Sequence, residues 1–210
     1  MLTNTEKTQI EKIVRIKKFK RGDIVFSEDH PAKNIYILIN GDTKLQHKDD
    51  LDRFITLRIA HSGETLGLET MLPNSHYLVS AVAESDITCC LVSQTDLDNI
   101  VLQNNDACAF LLQKKQNEIE RIYKHSLIMI SGSSLAKLAL ALLSLNDGEG
   151  RVISTKEEIA LMTGLSRESI SRMLSQLKMS KLIEARKREI ILLSLVELKK
   201  LTKVKKQKLG

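Results

Sequence analysis

The chain has 210 residues, 42% of them hydrophobic and only 3% aromatic, and carries a formal net charge of +6. That length accommodates two small domains with cores of their own, and no stretch nears the roughly 20 consecutive apolar residues of a membrane helix. Cys89, Cys90 and Cys108 are an odd set without C-x-x-C spacing, which argues against a disulfide framework and a zinc site. The first residues lack a signal-peptide pattern, so a cytoplasmic protein that does not engage membranes is expected.

In chain order, residues 5–16 form a short amphipathic pattern of helical period, after which the pattern changes to alternation. Candidate strands cover 23–26, 34–39, 42–47, 54–60, 65–67, 79–83 and 87–92. Turn formers separate them, among them Arg21-Gly22-Asp23, Asn40-Gly41-Asp42 and His61-Ser62-Gly63. Many short strands with evenly placed glycine turns predict an antiparallel roll of the jelly-roll kind. Adjacent Cys89 and Cys90 then point to opposite faces of the last strand and read as packing residues.

A short helix over 95–102 leads into one long helix over 106–130. Along it Cys108, Leu112, Lys115, Ile119, Ile122, Ser126 and Met129 alternate spacings of four and three, a seam with polar interruptions. Two readings stay open: the seam pairs with a second copy, or the helix packs only on its own roll. Phe110, Leu111, Tyr123, Leu127 and Ile128 lie off the seam and are expected to face the roll. Ser131-Gly132-Ser133 interrupts the pattern as a hinge before it resumes over 135–145, and an exposed turn over 146–150 leads to a strand at Val152.

Thr155 to Leu177 reads T-K-E-E-I-A-L-M-T-G-L-S-R-E-S-I-S-R-M-L-S-Q-L. Thr155 caps a first helix, with Glu157 and Glu158 in the turn where the helix dipole favours negative charge. Gly164 closes that helix in a left-handed conformation, and Ser166 caps the next. Ile170, Leu174 and Leu177 face inward at helical spacing and leave Arg167, Glu168, Ser171, Arg172 and Ser175 outward. Arginine can hold guanine O6 and N7 with two hydrogen bonds, and glutamate can accept from cytosine N4. The alternative is a solvated face with a Glu168–Arg172 ion pair. Leu182-Ile183 and Ile190 to Leu193 then flank the basic tip Glu184-Ala185-Arg186-Lys187-Arg188-Glu189, the pattern of a wing whose cations meet phosphate.

Charge follows the same division. Residues 1–130 hold 16 Lys and Arg against 18 Asp and Glu, while residues 131–210 hold 16 against 8, so the surplus lies wholly in the C-terminal part. Six of those cations fall in the tail over 199–208, and without them the balance is a modest 10 against 8.

Helix, turn, second helix and wing together resemble the C-terminal domain of the CRP/FNR family of bacterial transcription regulators, and S-R-E-S-I-S-R is similar to that family's recognition helix. The segments F-K-R-G-D-I-V-F-S-E, N-I-Y-I-L-I-N-G-D-T-K-L and G-E-T-L-G-L-E-T look like its cyclic-nucleotide-binding β-roll, so the resemblance spans nearly the whole chain. It implies an α+β chain: an N-terminal antiparallel β-roll over 1–104, a long dimerisation helix over 105–130 and a winged helix-turn-helix over 131–210. It further implies a homodimer on double-stranded DNA, in contact with RNA polymerase. Arg167, Glu168 and Arg172 would read bases beside Ser171, with Thr155, Ser166 and Lys187 completing the interface. A palindromic operator with TGA-type half-sites about one helical turn apart is the expected target. Leu112, Ile119, Ile122 and Met129 would make the dimer seam.

The implied effector pocket comprises Leu66, Gly67, Leu68, Glu69, Tyr77 and Leu78 of the roll with Ile119 of the long helix. There the chain departs from members that bind cyclic AMP. Leu68 stands where a ribose-binding glutamate is expected, Tyr77 and Leu78 stand near the phosphate-binding Arg-Ser pair, and no arginine lies between Arg58 and Arg121. A buried phosphate without a cation is strongly penalised, so cyclic AMP is disfavoured. An iron–sulfur centre is excluded by the lack of cysteines before Cys89, and none of His30, His47, His61, His76 and His125 sits in a motif that marks a haem ligand. The expectation is therefore no cofactor, with haem, another small molecule, or a cyclic nucleotide in an altered cassette as alternatives. No P-loop, nucleophile–base arrangement or metal-ligand cluster appears, so the chain reads as a regulator and not an enzyme.

Overall fold

The computed structural model describes residues 14–68, 74–186 and 189–203. Residues 5–13 of the expected N-terminal helix lie outside them, and the last residues of that expectation are strand instead: β1 spans Arg15–Phe19. Only Phe19 of β1 is buried, so its sequence carries no alternation to reveal it.

The N-terminal part is a roll of two antiparallel sheets. Beyond β1 come β2 (Ile24–Phe26), β3 (Asn34–Asn40), β4 (Thr43–Lys48), β5 (Phe54–Ala60), β6 (Thr65–Leu66), β7 (Ser80–Ala83) and β8 (Ile87–Ser93). One sheet has the order β1-β8-β3-β6 and the other β2-β7-β4-β5. Register follows the pleat. Ile35, Ile37 and Asn40 of β3 meet Val92, Cys90 and Thr88 of β8, with a bulge between Leu38 and Asn40. Cys89 is fully buried and Cys90 partly exposed, as expected for neighbours on opposite faces.

An aromatic cluster occupies the roll's interior. The ring of Tyr77 stacks on Phe26 with centroids 4.1 Å apart, and Tyr36 lies 5.5 Å from Phe26 and 6.4 Å from Phe19. Leu38, Leu66, Ala81 and Ile87 complete the core around them. The Tyr77 hydroxyl donates to the Asn34 carbonyl at 2.8 Å, so a ring that is only 4% exposed keeps its polar end satisfied.

From Ser93, whose hydroxyl accepts the Asp96 amide, α1 (Gln94–Gln103) runs to Asn104. The Asn104 side chain in turn accepts the amides of Asp106 and Ala107 at the start of α2 (Asn105–Ser131). These caps meet orphan helix donors with short polar side chains. Gly132 and Ser133 separate α2 from α3 (Ser134–Ser144), and a Cβ on Gly132 would lie 2.4 Å from the Ile128 carbonyl oxygen. The expected hinge is therefore a tight junction that admits only glycine.

The C-terminal part contains β9 (Arg151–Ile153), α4 (Lys156–Thr163), α5 (Arg167–Met179), β10 (Ile183–Ala185), β11 (Glu189–Leu192) and α6 (Leu195–Leu201). Its sheet has the order β10-β11-β9, all antiparallel. Leu138, Leu142, Val152, Ile159, Ile170, Leu177, Ile183 and Leu198 make the fully buried centre. Helix α6 takes in the first three residues, 199–201, of the basic tail read over 199–208. Its Leu198 is fully buried, Ser194 caps it, and Lys199 and Lys200 sit in its last turn. By packing, the chain divides into two compact units, one holding most of the roll and α2 up to Glu118, the other Lys48–Ile59 with the residues from Ile119 onward.

Two outcomes are expected in urea unfolding. Tyr77→Ala should lose about 3–5 kcal/mol, as for deletion of a buried ring, and Tyr77→Phe only about 1 kcal/mol for its hydrogen bond; an Ala variant as stable as the wild type would remove the ring from the core. Gly132→Ala should lose roughly 1–3 kcal/mol, the usual penalty of forced overpacking.

Candidate nucleic-acid interface

The surface that could meet a nucleic acid is built from its caps outward. Thr155 and Glu158 form a reciprocal capping box: the Thr155 hydroxyl accepts the Glu158 amide at 3.2 Å, and the Glu158 carboxylate accepts the Thr155 amide at 2.7 Å. Gly164 ends α4 at φ 67°, and its amide donates to the Ala160 carbonyl. Three residues then suffice for the turn, because the Ser166 hydroxyl accepts the Ser169 amide and starts α5 at once. Thr163, buried between the helices, donates its hydroxyl to Ile159 O at 2.7 Å.

Helix α5 is divided lengthwise. Ile170, Met173, Leu174 and Leu177 are buried, while Arg167, Glu168, Arg172 and Ser175 are exposed and Ser171 is half-buried at the border. Position 173 adds a methionine to the inward stripe that the sequence drew from Ile170, Leu174 and Leu177. Thr155 and Ser166 are exposed beside this face, at the starts of the two helices. The alternative reading of α5, a Glu168–Arg172 ion pair, is not what the side chains form. Instead the Glu168 carboxyl is held below the usual glutamate range, first by a hydrogen bond from its own backbone amide, then by the Ser166 hydroxyl and the adjacent Arg167 charge. Among the described residues Arg172 makes no side-chain hydrogen bond or ion pair, so its guanidinium stands available on the outer face.

Arg167 is different, for its Nη2 pairs with the carboxylate of Glu157 in the first turn of α4. Beside it Lys156 Nζ donates to the Ser171 hydroxyl at 2.9 Å. Neither tie was visible in the sequence, because periodicity describes one helix at a time and these contacts cross between two. On the wing, Arg186 is bound by Glu189 at 3.3 Å and Glu184 at 3.7 Å, and Lys187 lies outside the described residues.

The residues assigned to an effector pocket are only partly brought together. Leu66, Leu68 and Tyr77 are buried in the roll, and Gly67 lies against the Tyr77 ring. Leu78 is 67% exposed and points away from that interior, because a strand-like neighbour of an inward residue faces outward. Glu69 lies outside the described residues, and Ile119 is exposed on α2. Two of the histidines have carboxylate partners, His47 with Glu28 at 2.6 Å and His61 with Asp42 at 2.8 Å, while burial first and then the Arg121 charge push the half-buried His125 imidazole below the usual histidine range. No group of three or more His, Cys, Asp or Glu side chains among the described residues could hold a metal ion. No helix among them is long and apolar enough to cross a membrane.

On α2 the seam residues Leu112, Ile119 and Ile122 are exposed and Met129 is half-buried. Of the residues expected to face the roll, Ile128 is buried and Leu111 partly so, but Phe110, Tyr123 and Leu127 are 61%, 68% and 51% exposed. Apolar groups thus emerge on more than one side of this helix, which no single stripe of heptad spacing describes.

Comparison with known proteins converges on one architecture. Residues 16–104 match the model of the cyclic nucleotide-binding domain, and residues 136–201 that of the Crp-like helix-turn-helix domain. The transcriptional regulatory protein btr of Bordetella pertussis is 26% identical over 92% of this chain and 85% of its own length. The global nitrogen regulator of Synechococcus elongatus is 24% identical over 88% of each. In fold, FixK2 from Bradyrhizobium japonicum is similar with a TM-score of 0.72 at 20% identity, covering 91% of this chain and 98% of that one. A crp/fnr-family regulator from Eubacterium rectale gives 0.72 at 19% identity, covering 96% and 95%. Carrying the nucleotide-binding-type roll and the Crp-like helix-turn-helix in that order, the chain belongs to the CRP/FNR family of transcriptional regulators.

Proposed function

We propose that this regulator acts in the bacterial cytoplasm as a homodimer, reading a palindromic operator with one α5 in each of two successive major grooves. The observation that carries this reading is the lengthwise division of α5, whose buried stripe turns Arg167, Glu168 and Arg172 outward together. In this role Arg167 and Arg172 each present a planar fork to guanine, Glu168 accepts from a cytosine amino group, and the half-site contains a TGA-type core. Thr155 and Ser166 at the helix starts, with Lys187 on the wing, meet phosphate. Leu112, Ile119, Ile122 and Met129 supply the dimer seam, and RNA polymerase is the further partner.

The domain limits that go with this function are 1–104 for the roll, 105–130 for the dimerisation helix and 131–210 for the DNA-binding part. As to the signal, the roll uses an effector other than cyclic AMP or none. Support comes from Tyr77, whose stacked ring stands near the place of the phosphate-binding pair, and from Leu68, which is buried and apolar.

Selection of bound sequences from random DNA should return an inverted repeat with TGA-type half-sites. Arg167→Ala and Arg172→Ala should each weaken binding to it by about 5- to 150-fold, the range of a lost bidentate base contact; unchanged affinity in both would refute the assignment of α5. Ile122→Asp should move the protein from dimer to monomer in sedimentation, since a carboxylate in an apolar seam is disfavoured. Titration calorimetry with cyclic AMP should show no heat of binding, and micromolar affinity would overturn the effector reading.

A further inference from the structure

The first turn of α4 holds three charged residues in a row, and they have different partners. Glu158 closes the capping box and also accepts the Ser154 hydroxyl at 2.8 Å. Lys156 and Glu157 instead reach across to α5, where they meet Ser171 and Arg167. Positions 167 and 171 are one helical turn apart on the same side of α5, so the two ties grip the border of the outward face. A pair as exposed as Glu157 and Arg167, with side chains 49% and 65% accessible, adds little to folding stability. Its effect is on where the guanidinium points.

A guanidinium has five N–H donors in one plane. The Glu157 carboxylate engages Nη2, and the remaining donors include those on Nη1 and Nε. A guanine needs only two, for O6 and N7. Arginine on a free surface loses rotamer freedom when it docks, at a free-energy cost that corresponds to about 2- to 12-fold in affinity. An arginine already held by a carboxylate from the neighbouring helix has lost much of that freedom beforehand. The same carboxylate, close to the phosphates that would flank α5, disfavours use of Arg167 as a plain phosphate contact.

We propose that Glu157 is a positioning residue for base recognition, holding Arg167 extended so that its free edge meets guanine, and so determines specificity without touching a base. This inference rests on the operator-reading function above. It makes Glu157 a selectivity element in a place where a net-basic surface alone would favour any DNA.

The test uses the full-length protein and the operator recovered by selection, in three forms: intact, with each guanine replaced in turn by 7-deazaguanine, and replaced by random DNA of the same length. Affinities are measured for the wild type, Glu157→Gln, Glu157→Ala, Arg167→Ala and the Glu157→Ala/Arg167→Ala double variant. In the wild type, 7-deaza replacement at one position should weaken binding, and Arg167→Ala should abolish that sensitivity. In Glu157→Gln and Glu157→Ala the sensitivity should shrink by about 2- to 12-fold, while binding to random DNA holds or tightens, and the double variant should match Arg167→Ala. Undiminished 7-deaza sensitivity in Glu157→Gln overturns the proposal. So does equal weakening on operator and random DNA, which marks a structural role, or a Glu157→Ala effect that persists without Arg167. A wild type with no sequence preference defeats the operator-reading function itself and the positioning role with it, whereas an Arg167→Ala variant that keeps full discrimination defeats the positioning role alone.

Discussion

The arrangement of the C-terminal domain depends on one packing constraint, the burial of the α5 stripe Ile170, Met173, Leu174 and Leu177 against the centre built by α3, α4, α6 and the small sheet. With these side chains nearly inaccessible, rotation of α5 about its axis would expose apolar area worth about 25 cal/mol per Å² on the transfer scale. The outward face is fixed as a consequence of the inward one. Everything that follows from Arg167, Glu168 and Arg172 pointing the same way is inherited from groups that never touch a ligand. The caps act in the same sense, because Ser166 starts α5 at a defined residue and Gly164 ends α4 at another. A slip of one residue at either end would rotate the outward set by about 100°.

Much of this was legible in the sequence, for reasons tied to particular residues. Strands β3 and β5 are apolar runs that end at turns holding Gly41 and Gly63, and the capping box and Gly164 mark α4 by chemistry that few other settings require. What escaped has equally physical causes. Strand β1 reads Arg-Ile-Lys-Lys-Phe, with four exposed positions and one buried, so its pairing with β8 supplies an identity that its own pattern lacks. Helix α6 was hidden by its lysines, though Leu195, Leu198 and Leu201 recur at three-residue intervals and Leu198 anchors it. Tyr77 and Leu78 were legible as departures from the cyclic AMP cassette, but which of them turns inward depends on tertiary contacts that neighbouring residues in sequence do not encode.

The candidate site shows the same split between one-helix and two-helix information. The outward face of α5 follows from helical spacing, whereas the Glu157–Arg167 and Lys156–Ser171 ties depend on how closely the three-residue turn folds α4 back on α5. The Glu168–Arg172 pair, the alternative that helical spacing offered, is the counterpart. Spacing allows it, yet the Glu168 carboxyl is held below the usual range by its own backbone amide and the Ser166 hydroxyl at the helix start, with the Arg167 charge beside them. Local backbone donors outcompete a side chain one turn away because they are already fixed in place.

The aromatic cluster of the roll bears on how such a domain can be tuned. A diffusible molecule seated among Phe26, Tyr36 and Leu66 would stabilise the fold in proportion to the logarithm of its concentration. Tyr77 is tethered to the backbone, so its local concentration is set by covalent geometry and does not vary with metabolism or dilution. The ring's place in the core therefore does not depend on the supply of a diffusible molecule.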